Sequence, residues 1–105
     1  MWTPEDIRKT IAAHKILVFG KGTKDQPMCG FTMRAIEILR HCDADFEVVN
    51  IFEDPGIKEA LVQVSGWPTT PQIFIGGEFI GGSDIALEMY QKGELQAKIR
   101  ELDPA

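Results

Sequence analysis

Cys29 is the residue whose setting in this 105-residue chain most clearly suggests chemistry. It stands between a loop holding Lys21, Gly22, Lys24 and Pro27 and an apolar-periodic segment that opens with Gly30. A sulfur at the start of a helix faces unpaired backbone N–H groups and the positive end of the helix dipole, which stabilises its thiolate and lowers its pKa. A low-pKa thiolate is a nucleophile or a metal ligand. The alternative is a buried structural cysteine, but Lys21, Lys24 and the small Gly30 favour an accessible, electropositive setting. The other cysteine, Cys42, lies thirteen positions later on the apolar face of the same segment, where it reads as core filler rather than as a resolving thiol.

Two further stretches offer groups that could serve a ligand. Trp67-Pro68-Thr69-Thr70-Pro71 cannot be helical and demands a rigid turn before an apolar strand. Local chemistry alone favours a trans bond before Pro71, because only about 5–6% of X-Pro bonds are cis. Gly81-Gly82-Ser83-Asp84 leads into a helix, where bare N–H groups can hold a carboxylate and Asp84 can accept from an ammonium group. An ordinary hairpin exit with Ser83 or Asp84 as the cap is the plainer reading. His14 and His41 fall at helix ends, with no spacing to other ligands that suggests a metal site.

The elements that must position these groups alternate. Thr3-Pro4-Glu5-Asp6 begins a helix, and the run Ile16-Leu17-Val18-Phe19 reads as a strand buried on both faces. A second helix covers Gly30 to His41, with Ala35, Ile36 and Leu39 on its inner face. Phe46 to Ile51 forms a strand, and Asp54-Pro55 caps a third helix that runs to about Val64. Gly76-Gly77 between Gln72-Ile73-Phe74-Ile75 and Glu78-Phe79-Ile80 marks a tight hairpin. A helix from Ile85 and another after Gly93 complete an α/β fold, with a four-stranded mixed sheet covered by helices on both faces.

The length suits a single domain, residues 1–105. The formal charge of −5 argues against nucleic acid and against anionic membrane surfaces. No apolar run approaches a membrane span, and the N-terminus lacks the basic and apolar regions of a leader, so the expected location is cytoplasmic. Two cysteines make no disulfide framework, and a reducing compartment leaves both as thiols.

Taken together, these pieces resemble the monothiol glutaredoxins, on the thioredoxin fold. The likeness rests on Lys21-Gly22, on Cys29-Gly30-Phe31-Thr32 where that family has Cys-Gly-Phe-Ser, on Trp67-Pro68-Thr69-Thr70-Pro71-Gln72, and on Gly81-Gly82-Ser83-Asp84. It covers nearly the whole chain and makes cis-Pro71 the expected isomer. It also implies a glutathione groove: Lys21 toward the glycyl carboxylate, Thr70 pairing with the cysteinyl backbone, Ser83 and Asp84 holding the γ-glutamyl end, and Phe31, Lys58, Pro71 and Gly82 alongside.

Thr32 in place of the family's Ser adds a methyl, and Thr70 occupies a position that is commonly aromatic or branched aliphatic. With Thr32 in the fourth position, internal attack by a second motif thiol is closed. A 2Fe-2S cluster takes four ligands, which two copies of Cys29 and two glutathiones would supply. The resemblance thus implies a glutathione-bridged homodimer that carries and donates a cluster to acceptor proteins and pairs with BolA-type partners. The alternative is a glutathione-dependent thiol–disulfide oxidoreductase with Cys29 as nucleophile.

Overall fold

The computed structural model describes residues 1–103; the last two residues of the expected domain, Pro104 and Ala105, lie outside the described residues. At its centre is β1 (Ile16–Gly20), buried along its whole length. It pairs in parallel with β2 (Glu47–Asn50) and antiparallel with β3 (Gln72–Ile75), which pairs in turn with β4 (Glu78–Gly81), giving the order β2-β1-β3-β4. Gly76 and Gly77 at the β3–β4 turn both take positive φ, +60° and +82°, as a two-residue hairpin turn requires. A shift in register between Ile73 and Phe74 interrupts the β3–β4 ladder.

The unbroken apolar run of β1 follows from its coverage on both sides, because successive side chains in a strand point to opposite faces. Ile16 and Val18 pack with Ala35, Ile36 and Leu39 of α2 (Gly30–His41), Ala86 of α4 (Ser83–Gln91) and Leu95 of α5 (Glu94–Arg100). Leu17 and Phe19 pack on the other face with Ile7 and Ile11 of α1 (Pro4–Ala13), and with Ile57, Ala60 and Leu61 of α3 (Gly56–Ser65). The Phe19 and Phe74 rings meet edge to face at 5.8 Å. This is the mixed four-stranded α/β architecture of the thioredoxin fold.

Helix starts follow local chemistry, with one correction. Thr3 caps α1 through a reciprocal pair with Asp6: Asp6 N–H donates to Thr3 Oγ1, and Thr3 N–H to Asp6 Oδ2. Asp54 Oδ1 accepts from Gly56 N–H at 2.7 Å, and Pro55 already has helical angles. At α4, however, neither Ser83 nor Asp84 is the cap. The capping position is Gly82, extended at φ −96° and ψ −165°, and no side chain closes the helix start. The N-terminal N–H groups of α4 are thereby left uncovered by a cap, beside the groove described below. The second strand is shorter than its apolar pattern, since Phe46 and Ile51 are buried just outside the ladder.

Leu39, fully buried under β1, tests this arrangement. Leu39→Ala should lower the unfolding free energy by about 2–5 kcal/mol, read as a reduced urea midpoint with an unchanged slope.

Candidate functional site

The loop after β1 returns to the strand end through its own backbone. Gly22 and Pro27 form an antiparallel bridge, and Met28 N–H donates to Lys21 O at 2.8 Å. Gly22 has φ +94°, and a Cβ there would lie 2.4 Å from Gln26 O and 2.6 Å from Met28 N, so only glycine fits. Asn50 at the end of β2 anchors the loop from below: its Oδ1 accepts from both Gly22 N–H and Phe52 N–H at 3.0 Å.

This closed loop delivers Cys29 to the capping position of α2 in an extended conformation. Its thiol is partly exposed, and its pKa is held below the ordinary thiol value. Thr32 N–H is the main cause; partial burial opposes it, and Phe31 N–H, the Thr32 hydroxyl and the Lys21 charge add to the lowering. Of the two lysines expected to enrich this setting, Lys21 does so. Lys24 does not: its ammonium donates to Phe46 O at 2.6 Å and sits 4.0 Å above the Phe46 ring. A lysine flexible enough to reach a carbonyl and an aromatic face stays with them rather than with a distant sulfur.

Opposite Cys29, the turn from Trp67 reaches a cis bond between Thr70 and Pro71. Gln72, fully buried, braces this turn by donating through Nε2 to Trp67 O at 2.9 Å and to Thr69 O at 3.1 Å. Gly82 comes up against the turn, and a Cβ on it would stand 3.4 Å from Pro71 O.

Between these pieces runs a cleft of about 550 Å³, lined by Lys21, Cys29, Phe31, Lys58, Thr70, Pro71, Gly82, Ser83 and Asp84. All nine residues singled out in the sequence thus border one space, including Lys58 from the first turn of α3. The sequence points to the Trp67–Pro71 stretch without giving Trp67, Pro68 or Thr69 a place in the lining, and it does not point to Ile85. Trp67 and Ile85 are large apolar side chains left about half exposed, at 48% and 46%, which only the fold reveals. Also unforeseen is Arg34, whose Nη1 lies 3.6 Å from Asp84 Oδ1. Ser83 is buried, whereas Asp84 projects outward.

The cleft therefore has cationic groups, Lys21 and Lys58, together with a thiol whose pKa is lowered and the uncovered start of α4. Such an arrangement can hold an elongated ligand bearing carboxylates and bring its sulfur to Cys29. Cys42 takes no part. It terminates α2, packs partly buried against the core, and has its pKa raised by burial.

The sequence matches the Glutaredoxin family over residues 16–80. The chain belongs to the glutaredoxin family. It is 46% identical over 102 residues to Glutaredoxin 4 of Haemophilus influenzae, covering 97% of this chain and 95% of that protein. It is 43% identical over 97 residues to Monothiol glutaredoxin-S14, chloroplastic, of Arabidopsis thaliana, covering 92% of this chain and 56% of that protein. Among solved structures, a buckwheat glutaredoxin–glutathione complex superposes with a TM-score of 0.83 at 26% identity, covering 93% of this chain and 87% of that one. With Thr32 where a dithiol glutaredoxin has its second cysteine, this glutaredoxin is of the monothiol type.

The two thiols should separate by pH. Alkylation of Cys29 by iodoacetamide should reach half its maximal rate below the ordinary thiol pKa, and that of Cys42 above it, as followed by peptide mass spectrometry. A shared midpoint would contradict the electrostatics described here.

Proposed function

We propose that the chain is a carrier: a monothiol glutaredoxin that holds a 2Fe-2S cluster between two copies of itself and two glutathione molecules, then donates it to acceptor proteins. The observation that carries this reading is one partly exposed thiol, its pKa lowered, lining a cleft suited to glutathione. Among the described residues no group of three or more His, Cys, Asp and Glu comes together to hold a metal. Cys42 is about 20 Å away along α2, at about 1.5 Å per residue. Cys29 therefore fits a four-sulfur ligand set as one of its members, with the others drawn from a second Cys29 and two glutathione thiols.

Glutathione is the ligand this cleft fits best, and a related glutaredoxin is known in complex with it. Lys21 would meet the glycyl carboxylate, with Lys58 adding charge at the same wall. The Thr70 backbone would pair with the cysteinyl unit, and Ser83 and Asp84 at the start of α4 would hold the γ-glutamyl end. Phe31, Pro71 and Gly82 would shape the walls. The ligand's thiol would then lie beside Cys29, and because it is dissociable, the cluster could be handed over without unfolding the protein.

The same reading places residues 1–105 as one glutaredoxin domain acting in the cytoplasm, with BolA-type proteins and iron–sulfur acceptors as partners. Among the described residues no helix is long and apolar enough to cross a membrane.

A second reading has a specific observation in its favour. A depressed thiol pKa with open access equally suits attack on a glutathione mixed disulfide: Cys29 takes up the glutathionyl group, the substrate thiol leaves, and a second glutathione reduces Cys29.

Anaerobic reconstitution with ferrous iron, sulfide and glutathione separates the two. The carrier reading expects visible absorption on a species of dimer size, lost in Cys29→Ser, kept in Cys42→Ser, and bleached when glutathione is removed. A colourless protein that turns over glutathione mixed disulfides rapidly would establish the second reading instead.

A further inference from the structure

Thr32 is fully buried in the first turn of α2 and faces the last residue of β1. A Cβ built on Gly20 would lie 2.6 Å from Thr32 Cγ2 and 3.0 Å from Thr32 Oγ1. Carbon atoms do not approach that closely, so the methyl of Thr32 occupies the space where a side chain at position 20 would stand. Gly20 has no conformational need to be glycine. It is not among the residues with positive φ, and it pairs in register with Asn50 as an ordinary strand residue. Glycine in a strand gives up packing and costs conformational entropy, and it marks a place where another group comes close.

On its other side, Thr32 Oγ1 accepts from Lys21 N–H at 3.1 Å. A β-branched side chain has few χ1 choices. Seating the methyl against Gly20 therefore selects the rotamer that brings the hydroxyl onto Lys21. A serine here could make the same hydrogen bond but would have nothing to lodge in the recess.

We propose that Gly20 and Thr32 form one interlocked unit, in which the missing side chain of Gly20 receives the Thr32 methyl and so holds the Thr32 hydroxyl on Lys21 N–H. Thr32 is then a positioning residue. Besides its direct effect on the Cys29 thiol, it acts through the Lys21 backbone and the first turn of α2, fixing how far the lysine at the end of β1 stands from the thiol at the start of the helix. The glycine at position 20 and the threonine at position 32 are matched to each other. A side chain at position 20 requires the smaller hydroxyl residue at position 32.

Amide hydrogen exchange at Lys21, followed by NMR on the full chain, tests the pairing. Thr32→Val keeps the methyl and removes the acceptor, so Lys21 exchange should accelerate about fivefold or more. Gly20→Ala should accelerate it comparably by driving Thr32 out of its rotamer. The double variant Gly20→Ala with Thr32→Ser should regain most of the protection lost in Gly20→Ala, because the 2.6 Å clash with the methyl is removed and only the 3.0 Å approach to the hydroxyl oxygen remains.

The rate of glutathionylation should follow the same order. In that reaction the Cys29 thiolate attacks one sulfur of glutathione disulfide, a mixed disulfide forms, and one glutathione thiolate departs. The rate should fall in Gly20→Ala and recover in the double variant. An unchanged Lys21 amide in Gly20→Ala or in Thr32→Val would overturn the proposal. So would a double variant no better than Gly20→Ala alone. If Gly20→Ala does not fold, a folded double variant with a protected Lys21 amide supports the pairing, and a double variant that also fails to fold refutes it.

Discussion

The chemistry of the groove depends on how the first turn of α2 is seated against the end of β1. Three backbone N–H groups matter here: those of Phe31 and Thr32 at the helix start, which lower the Cys29 pKa, and that of Lys21, which donates to Thr32 Oγ1. Each is an interaction of modest net worth, on the order of 1 kcal/mol. None could order the loop alone against a backbone entropy cost of about 1–2 kcal/mol per residue. The ordering comes from the core. β1 is held by a neighbouring strand on each side and by helices on both faces, so its last residue is fixed before the loop begins. Asn50, at the end of the parallel neighbour, then fixes the loop's first turn through Gly22.

The electrostatics of Cys29 are local rather than global. The whole chain carries a formal charge of −5, which on its own would oppose a thiolate. The leading causes of the lowered pKa are instead the backbone N–H groups of the helix start, and the Lys21 charge adds least. Charge at several ångströms in partly exposed surroundings is screened, whereas an N–H aimed at sulfur is not. Lys24 shows how weak the pull of charge alone is in this loop: it lies three residues from Lys21 in sequence and spends its ammonium on Phe46.

Much of this could be read in the chain, and the exceptions share a cause. The double-sided burial of Ile16 to Phe19, the Gly76-Gly77 hairpin and the start of α2 at Cys29 all follow from short-range rules, because strand alternation, turn chemistry and capping are encoded within a few residues. What escaped are relations across sequence: Asn50 under Gly22, Gln72 behind Trp67 and Thr69, Arg34 beside Asp84, and Gly20 against Thr32. The cap of α4 failed for a different reason. Ser83 and Asp84 both have side chains suited to capping, but Ser83 already belongs to the helix, and Gly82 is drawn into the extended position as it packs beside Pro71. Trp67 gave no hint of its exposure, since a tryptophan beside proline reads equally well as the packing of a turn.

The distribution of sulfur determines what kind of redox chemistry the fold can support. A dithiol motif resolves its own mixed disulfide because the second sulfur is one helical turn away. Here that position holds Thr32, which is buried and engaged with Lys21, so it contributes a hydroxyl rather than a second attacking thiol. Cys42 cannot substitute. A disulfide needs Cα atoms within about 7 Å, and the length of α2 separates the pair by about 20 Å. Burial also keeps Cys42 protonated to higher pH, so it is a poor nucleophile as well as a distant one. Whatever Cys29 captures, a sulfur from outside the chain has to release it or share it. Both proposed activities are versions of that dependence, since glutathione supplies the external sulfur in each. They differ in whether it arrives as a reductant or stays as a ligand.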